Sequence, residues 1–229
     1  MQFSLIIPSY NNADELMREL PAFLDFLKRS GHEVETVIVN DGSNQRSELT
    51  QFCEAHRLVL IHHPTNLGKG AAVRTGMQAA TCSVRIFTDA DIPFQYETVN
   101  DMLAVFQNDQ QVDLVAGDRR KSDYFAQTPV VRRLGSWVFS GMVDLIMLKR
   151  MGDTQCGIKG FRDRCVKVIF PESKLNGFAA DIEWLHRAQQ RRMKMATVSA
   201  EFRNAGQSSV VFWKHAVLML RDVLKIRLS

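Results

Sequence analysis

Two carboxylates, one residue apart at the end of an apolar run, are the part of this sequence best suited to chemistry. The run Ile86-Phe87-Thr88 leads directly into Asp89-Ala90-Asp91. Alternate residues of an extended chain point to the same side, so Asp89 and Asp91 can be directed at one point. Hard carboxylate oxygens at a strand end suit Mg²⁺ or Mn²⁺ that carries phosphate groups. The pair therefore predicts a metal site, and the alternative is a solvated turn with two aspartates.

The segment 66–74 is a second candidate, because it contains two glycines and opens a predicted helix. A helix N-terminus of this kind, with Lys69 and Arg74, could receive an anion through free backbone amides and the helix dipole. The glycine order of a P-loop is absent, and so is G-x-G-x-x-G. The alternative is a purely structural start of the helix.

Asp41 is a third candidate, since it follows a predicted buried strand and precedes Gly42. A carboxylate at this place commonly receives donors from a ribose or a base. The alternative is that Asp41 caps its own turn through the backbone.

Basic residues flank a polar loop in the second half of the chain, at Arg119, Arg120, Lys121, Arg132 and Arg133. A phosphate monoester is already anionic near neutral pH, with a second pKa of about 6, so it can attack without a dedicated base. It needs positive charge to approach a diphosphate, and arginines provide planar, bidentate recognition. These residues therefore indicate an acceptor-phosphate site, and the alternative is a solvated basic rim.

The elements that position these residues alternate between short apolar strands and helices through the first half of the chain. This alternation predicts a mostly parallel sheet that is covered on both faces. Ligands of such sheets bind outside the carboxyl ends of the strands, and the polar motifs at 8–11, 40–43, 89–91 and 117–119 all fall there. No linker or internal repeat interrupts residues 1–229, which predicts a single domain.

Composition excludes several classes of protein. A net charge of +4, with 45% hydrophobic and 24% charged residues, is typical of a globular domain. The four cysteines lack metal-site spacing, which favours reduced thiols in a cytoplasmic protein. No signal peptide and no apolar run of about 20 residues is present, so we expect any membrane contact to be peripheral. The basic residues are not interleaved with aromatics, so we expect no nucleic-acid partner.

The C-terminal segment, about 210–228, has the pattern of an amphipathic helix. Lys214, Arg221 and Lys225 form one stripe, whereas apolar side chains such as Trp213 and Leu220 lie together on a broad apolar face. A basic amphipathic helix is typical of a protein that lies on a bilayer surface. Docking on the domain core, on a membrane-protein partner or on a second copy of the chain is the alternative.

Taken together, these segments resemble glycosyltransferase family 2, and within it the transferases that use dolichyl or polyprenyl phosphate. The resemblance covers nearly the whole chain and implies the GT-A fold, a Rossmann-like three-layer α/β sandwich. It rests on Ile7-Pro8-Ser9-Tyr10-Asn11-Asn12, Val39-Asn40-Asp41-Gly42-Ser43, residues 66–77, Thr88-Asp89-Ala90-Asp91 and Asp153-Thr154-Gln155-Cys156-Gly157-Ile158-Lys159.

The resemblance also implies roles for individual residues. Asp91 and Asp89 would hold Mg²⁺ or Mn²⁺, and Asp153 would either orient the sugar or serve only a turn. The nucleotide sugar would be bound by Pro8, Tyr10, Asn11, Asp41, Lys69, Asp89, Arg203, Ser208 and Ser209. The acceptor phosphate would be bound by Arg119, Arg132, Arg133 and Ser136. Asp181 matches a family carboxylate, but it does not share a helix face with Glu183.

The expected reaction is inverting transfer of a hexose from GDP-mannose or UDP-glucose to polyprenyl or dolichyl phosphate at the cytoplasmic face of a membrane. One alternative is a family 2 transferase with a soluble or glycan hydroxyl acceptor, which would need a general base. Another is a non-catalytic nucleotide-sugar-binding subunit of a membrane complex. The sequence departs from the family pattern at Asn12, where a Glu is usual, at Ile158, and at Val210, where a basic residue is common.

Overall fold

The computed structural model describes residues 1–121, 153–203 and 222. Within them it contains seven strands and six bounded α-helices. The first half of the described chain contains β1 (Gln2–Ser9), α1 (Ala13–Arg29), β2 (Glu33–Asn40), α2 (Arg46–His56), β3 (Val59–His62), α3 (Lys69–Ala79), β4 (Val84–Thr88), α4 (Glu97–Asn108), β5 (Val112–Asp118) and a 3-10 turn (Arg119–Lys121). The second half contains β6 (Ile158–Arg162), α5 (Asp163–Ile169), α6 (Ala180–Gln190) and β7 (Lys194–Ser199).

All seven strands form one sheet, in the order β3-β2-β1-β4-β6-β5-β7. Strand β6 runs antiparallel to both of its neighbours, β4 and β5. The other pairs are parallel. The predicted mostly parallel sheet is therefore confirmed.

The sheet lies between two helical layers, each with its own apolar core. One core joins the sheet to α1, α2 and α4, and the other joins it to α3, α5 and α6. Strand β1 supplies both cores, because Leu5 and Ile7 pack on one side and Ile6 packs on the other, all without solvent exposure. This is why the central strands are continuous apolar runs rather than alternating ones.

Helix α1 shows how the periodicity of the sequence builds one of these layers. Leu16, Leu20, Phe23 and Leu27 recur at intervals of three or four residues and are all buried. A stripe with this spacing is the apolar face of a helix that packs on a core.

The structure contains a strand, β6, that the sequence pattern does not predict, and this difference has a physical cause. Its residues, Ile158–Arg162, include two basic side chains and a glycine, so no apolar run is visible. Lys159 can occupy a buried position in this strand because its charge is paired with Asp181, a residue 22 positions away. Such a long-range pairing cannot be read from local spacing.

The register places the polar ends of the strands at one edge of the sheet. Ser9 at the end of β1 is opposite Asn40 at the end of β2, and Ile6 is opposite Phe87 of β4. The segments 9–12, 40–45 and 89–92 therefore emerge side by side. In the part of the chain that the structure describes, no helix is long and apolar enough to cross a membrane. The predicted C-terminal amphipathic helix lies outside the described residues.

Candidate active site

The two predicted metal ligands lie on a tight turn that follows β4. The backbone N–H of Ile92 donates to the carbonyl of Asp89 at 3.0 Å, which closes the turn around Asp91. Ile92 has a φ of 43°, a conformation that is rare for a β-branched residue, and its side chain is only 2% exposed. Packing of Ile92 in the core therefore holds a strained turn, and strain of this kind is concentrated at functional sites.

A second segment, residues 200–203, forms backbone hydrogen bonds with the residues that follow this turn. The N–H of Gln95 donates to the carbonyl of Glu201 at 2.8 Å, and the N–H of Arg203 donates to the carbonyl of Pro93 at 2.8 Å. Phe94 and Phe202 form an antiparallel bridge between these contacts. The turn is thus fixed from both sides.

The charges around the turn favour a cation. Burial and the neighbouring carboxylates Asp89 and Glu15 raise the pKa of Asp91 to about 6. Such a shift means that the negative charge of Asp91 is poorly compensated by the protein. The Lys69 ammonium lies 2.5 Å from Asp89 Oδ1. Burial alone would lower the pKa of Lys69, but Asp89 and Asp181 outweigh it and the pKa is raised.

This donor set fits a divalent ion that phosphate oxygens help to coordinate. Among the described residues, no group of three or more His, Cys, Asp or Glu side chains could hold a metal ion. Asp89 and Asp91 would supply two hard oxygen ligands, which is the usual protein share for Mg²⁺ in nucleotide sites.

Gly157 explains why the block at 153–159 belongs to the site. A Cβ atom at Gly157 would lie 2.1 Å from Asp89 Oδ2. The backbone of this segment therefore packs directly against the Asp89 carboxylate, and only glycine leaves room for it.

Asp41 is buried, and both of its oxygens have partners. Oδ1 accepts from the Leu67 N–H at 2.9 Å and contacts His63 Nδ1 at 2.7 Å, while Oδ2 accepts from the Gly68 N–H at 2.8 Å. These contacts fix the segment before α3, at residues 67 and 68, and not the turn of Asp41 itself, which was the alternative to nucleoside binding. A direct contact of Asp41 with the nucleoside stays a prediction.

The structural alternative holds at the start of α3, because the amides of Gly70 and Ala71 are not free to receive an anion. The carbonyl of Asn176 accepts from the N–H groups of Gly70 and Ala71, at 2.7 and 3.3 Å. Arg74 also binds this loop, through the carbonyls of Ser173 and Leu175 and the side chain of Asn176. The loop occupies the helix N-terminus because the second half of the chain packs there, which local sequence cannot reveal. Lys69 still points into the site through Asp89.

The loops after β1 and β2 are tied together at the proposed nucleoside side. The Asn11 N–H donates to Ser43 Oγ at 3.0 Å, and Asn11 Oδ1 accepts from the Asn44 N–H at 3.3 Å. Pro8 is the next-to-last residue of β1, and Tyr10 beyond it is 50% exposed. An exposed ring beside a strand end offers a flat surface on which a base can stack.

Asn12, where the family usually carries Glu, closes the turn after β1. Its Oδ1 accepts from Ser9 Oγ at 2.8 Å and from the Tyr10 N–H at 3.1 Å. The substitution therefore has a local structural role in this chain.

Asp153 and Arg119, predicted from separate segments, form an ion pair. Arg119 Nε lies 2.6 Å from Asp153 Oδ2, a second side-chain nitrogen lies 2.8 Å from Oδ1, and the Arg119 N–H also donates to Oδ2. Burial would raise the pKa of Asp153, but the Arg119 guanidinium outweighs it and holds that pKa below its usual range. Asp153 therefore orients Arg119 at the end of β5. The predicted roles in sugar and acceptor binding stay predictions.

Lys159 is the residue that sequence reasoning missed. It is fully buried, and its Nζ donates to Asp181 Oδ1 and to the Cys156 carbonyl, both at 2.7 Å. No local signal marked Lys159 as buried, because the short segment around it contains a second basic residue and a glycine. Lysine is almost never buried unless it is paired. Glu183 faces elsewhere and binds the backbone of Lys174 and Leu175, so the prediction that it does not share a face with Asp181 is confirmed.

Arg203 lies beside the metal turn but has local partners. Its guanidinium stacks 4.2 Å from the centre of the Tyr96 ring, pairs with Glu19 at 3.1 Å and donates to the Ile92 carbonyl at 3.4 Å. Contact with donor phosphates stays a prediction. The other predicted phosphate-binding residues lie outside the described residues, namely Arg132, Arg133, Ser136, Ser208 and Ser209.

All four cysteines lie in the described residues and are free thiols, as the sequence predicts. Burial raises the pKa of Cys156 to about 12, so it is a packed side chain rather than a nucleophile.

Comparisons with known proteins identify the family of the chain. The model of the family described as glycosyl transferase family 2 matches residues 4–170. The dolichyl-phosphate beta-glucosyltransferase of Dictyostelium discoideum is 26% identical over 98% of this chain and 73% of that protein. The Mus musculus protein of the same name is 28% identical over 99% of this chain and 75% of its own length.

Solved structures share the fold at low identity. Mannosyl-3-phosphoglycerate synthase from Rubrobacter xylanophilus superposes with a TM-score of 0.73 at 16% identity, over the whole chain and 74% of that protein. Glucosyl-3-phosphoglycerate synthase from Mycobacterium tuberculosis, in complex with Mn²⁺, UDP and phosphoglyceric acid, has a TM-score of 0.69 at 15% identity, over 99% of this chain and 77% of that one. The predicted GT-A fold is therefore confirmed.

Proposed function

Because the chain belongs to glycosyltransferase family 2, we propose that it transfers a glucosyl group from UDP-glucose to dolichyl phosphate or another polyprenyl phosphate. The observation that carries the proposal is that relatives matching 97–99% of the chain are dolichyl-phosphate beta-glucosyltransferases. The complex of the Mycobacterium tuberculosis synthase with UDP and Mn²⁺ supports a uridine nucleotide and a divalent ion.

The residues at the sheet edge divide this reaction between a donor side and an acceptor side. The loops after β1 and β2, with the exposed Tyr10 ring, are suited to the nucleoside. Asp89 and Asp91 would hold the divalent ion, which neutralises the departing diphosphate when it is bound. Arg119, oriented by Asp153 at the end of β5, is suited to attract the acceptor phosphate.

The acceptor chemistry requires no general base. The phosphate of the lipid is anionic near neutral pH and can attack the sugar directly. Attack in line with the leaving diphosphate inverts the anomeric centre, so an α-linked donor gives a β-linked product. The protein's task is to bring two negatively charged reactants together, which is a matter of positioning and charge compensation.

We place the reaction at the cytoplasmic face of a membrane, with the protein bound peripherally. The support is the basic stripe and apolar face of the segment 210–228, a pattern that binds anionic bilayers. A partner protein or a second copy of the chain stays the alternative for that segment.

A transfer assay tests the proposal. Purified protein with Mn²⁺ is incubated with labelled UDP-glucose or labelled GDP-mannose, and with dolichyl phosphate in detergent micelles. We expect label in the organic phase only with UDP-glucose and only when the lipid carries phosphate. Asp91→Asn should abolish the transfer. Dolichol without phosphate and soluble 3-phosphoglycerate are the control acceptors, and neither should be labelled.

Two outcomes would contradict the proposal. Label recovered on 3-phosphoglycerate or on a glycan would show a soluble acceptor. Lipid labelling from GDP-mannose but not from UDP-glucose would show a mannosyltransferase.

A further inference from the structure

Lys69 places a positive charge at the proposed metal site. Its ammonium lies 2.5 Å from Asp89 Oδ1, and its side chain is only 18% exposed. The first turn of α3 holds it there, because the segment before it is bound by Asp41 and the Gly70 amide is bound by Asn176. The contact is therefore built into the fold and is not a chance meeting of two mobile surface groups.

The other aspartates around the site form ion pairs, which leaves Asp91 as the unpaired one among the described residues. Asp153 pairs with Arg119 and Asp181 pairs with Lys159, at 2.6 and 2.7 Å. Asp89 pairs with Lys69 in the same manner. Among the described residues, Asp91 alone of these four aspartates has no ion pair.

This pairing makes the free protein a poor site for a divalent ion. An ion that binds Asp91 and Asp89 must approach the Lys69 ammonium and displace it from Asp89. No third acidic, histidine or cysteine ligand is available among the described residues to offset that cost. A nucleotide diphosphate changes the balance, since its oxygens can coordinate the ion and also accept the released ammonium.

We propose that Lys69 is an internal counter-ion that occupies Asp89 until donor arrives, so that the divalent ion binds together with the nucleotide diphosphate and not before it. This inference deepens the proposed function and rests on its assignment of Asp89 and Asp91 as metal ligands. It makes Lys69 a positioning residue, whose loss strengthens the binding of the divalent ion alone and weakens the coupling between the ion and the nucleotide diphosphate.

Mn²⁺ binding, measured by calorimetry and by the EPR signal of free Mn²⁺, tests the proposal without turnover. For the unmodified protein we expect Mn²⁺ to bind at least about tenfold more tightly with UDP than without it, and UDP to gain the same factor from Mn²⁺. In Lys69→Met we expect Mn²⁺ alone to bind at least about tenfold more tightly than it binds the unmodified protein, because the competing charge is gone. The coupling between Mn²⁺ and UDP should shrink correspondingly.

Lys121→Met is the matched control. It also removes one positive charge near the end of β5, but Lys121 contacts the Thr197 hydroxyl and carbonyl rather than a carboxylate. Its effect on Mn²⁺ binding should stay within about twofold, because screened charges at a distance act weakly. Lys69→Gln serves as a second neutral variant if Lys69→Met unfolds, and Asp91→Asn should remove Mn²⁺ binding in every background.

The proposal is overturned if neither Lys69 variant binds Mn²⁺ more tightly than the unmodified protein in the absence of UDP. It is equally overturned if Lys121→Met gives the same gain. These results are independent of the transfer assay. If the unmodified protein transfers glucose to lipid but the Lys69 variants bind Mn²⁺ no more tightly than it does, only the counter-ion role of Lys69 is refuted. If the Lys69 variants bind Mn²⁺ more tightly as expected but the unmodified protein transfers no glucose to lipid, only the proposed function is refuted.

Discussion

Replacing Gly157 by alanine should separate activity from stability more cleanly than any other single change. The new Cβ atom would lie 2.1 Å from Asp89 Oδ2, where ordinary contacts begin at 3.4 Å. The oxygen must therefore move by about 1.3 Å, and misplacement by 1 Å in an active site can cost about a hundredfold in rate. Because Oδ2 is the end of a side chain that can rotate, the free energy of unfolding should fall by no more than about 1 kcal/mol.

Gly160→Ala, three residues further along the chain and within β6, is the matched control. Its Cβ atom would lie 2.9 Å from Phe106 Cε2 and 3.3 Å from Ile86 Cγ1, both in the core. We expect this variant to lose about 1–3 kcal/mol of stability from overpacking, while its rate per folded molecule changes little.

Initial rates of glucosyl transfer and urea unfolding curves give the two quantities for each variant. Retention of more than a tenth of the activity in Gly157→Ala would refute the argument that Asp89 must keep its present position. Equal loss of stability in both variants would show that Asp89 cannot rotate away, contrary to the reasoning.

Two further predictions follow from contacts of the described residues, and a third follows from the sequence. Lys159→Met leaves Asp181 buried without its partner and should cost about 3–5 kcal/mol in urea unfolding, and the double variant with Asp181→Asn should recover part of that loss; no recovery would mean that the pair is not coupled. Burial would raise the pKa of Glu183, but the Leu175 and Lys174 amides and Arg187 outweigh it, so that pKa is lowered. The stability that Glu183 contributes is present above its unfolded pKa near 4.5 and is lost as the pH falls through the lower pKa of the folded protein. Glu183→Gln should therefore be less stable than the unmodified protein by about 1–3 kcal/mol in urea unfolding at pH 7, and this difference should disappear in acid. Arg132→Ala should raise the KM for lipid phosphate with little change in kcat, and unchanged activity at low lipid would remove Arg132 from the acceptor site.

The sheet was predictable because its central strands are buried on both faces and read as apolar runs. Strands β1, β2 and β4 end in polar residues, and the rule that ligands bind at carboxyl ends is enough to bring Asn11, Asp41 and Asp89 together. Strand β6 was not predictable, because Lys159 hides it and is neutralised by a residue on a distant helix.

The ion pairs and hydrogen bonds between distant residues could not be predicted from the sequence either. Spacing identified Lys69 and Arg119 as cations near anions, but it could not show that each already has an aspartate partner. Spacing suggested free amides at the start of α3, whereas Asn176 of a later loop takes them. In both cases the partner comes from a remote part of the chain, so only the folded arrangement decides.

The antiparallel direction of β6 has a consequence for how this enzyme family can diversify. Because β6 begins where β5 ends, the chain leaves the sheet after Asp118 and returns to it at Ile158 on the same edge, and Arg119 and Asp153 meet there. A change in the length of the chain between these two points leaves the order and direction of the seven strands unaltered. Under the proposed assignment of Arg119 to the acceptor, a change of acceptor at this edge would leave β4 and the Asp89–Asp91 turn intact.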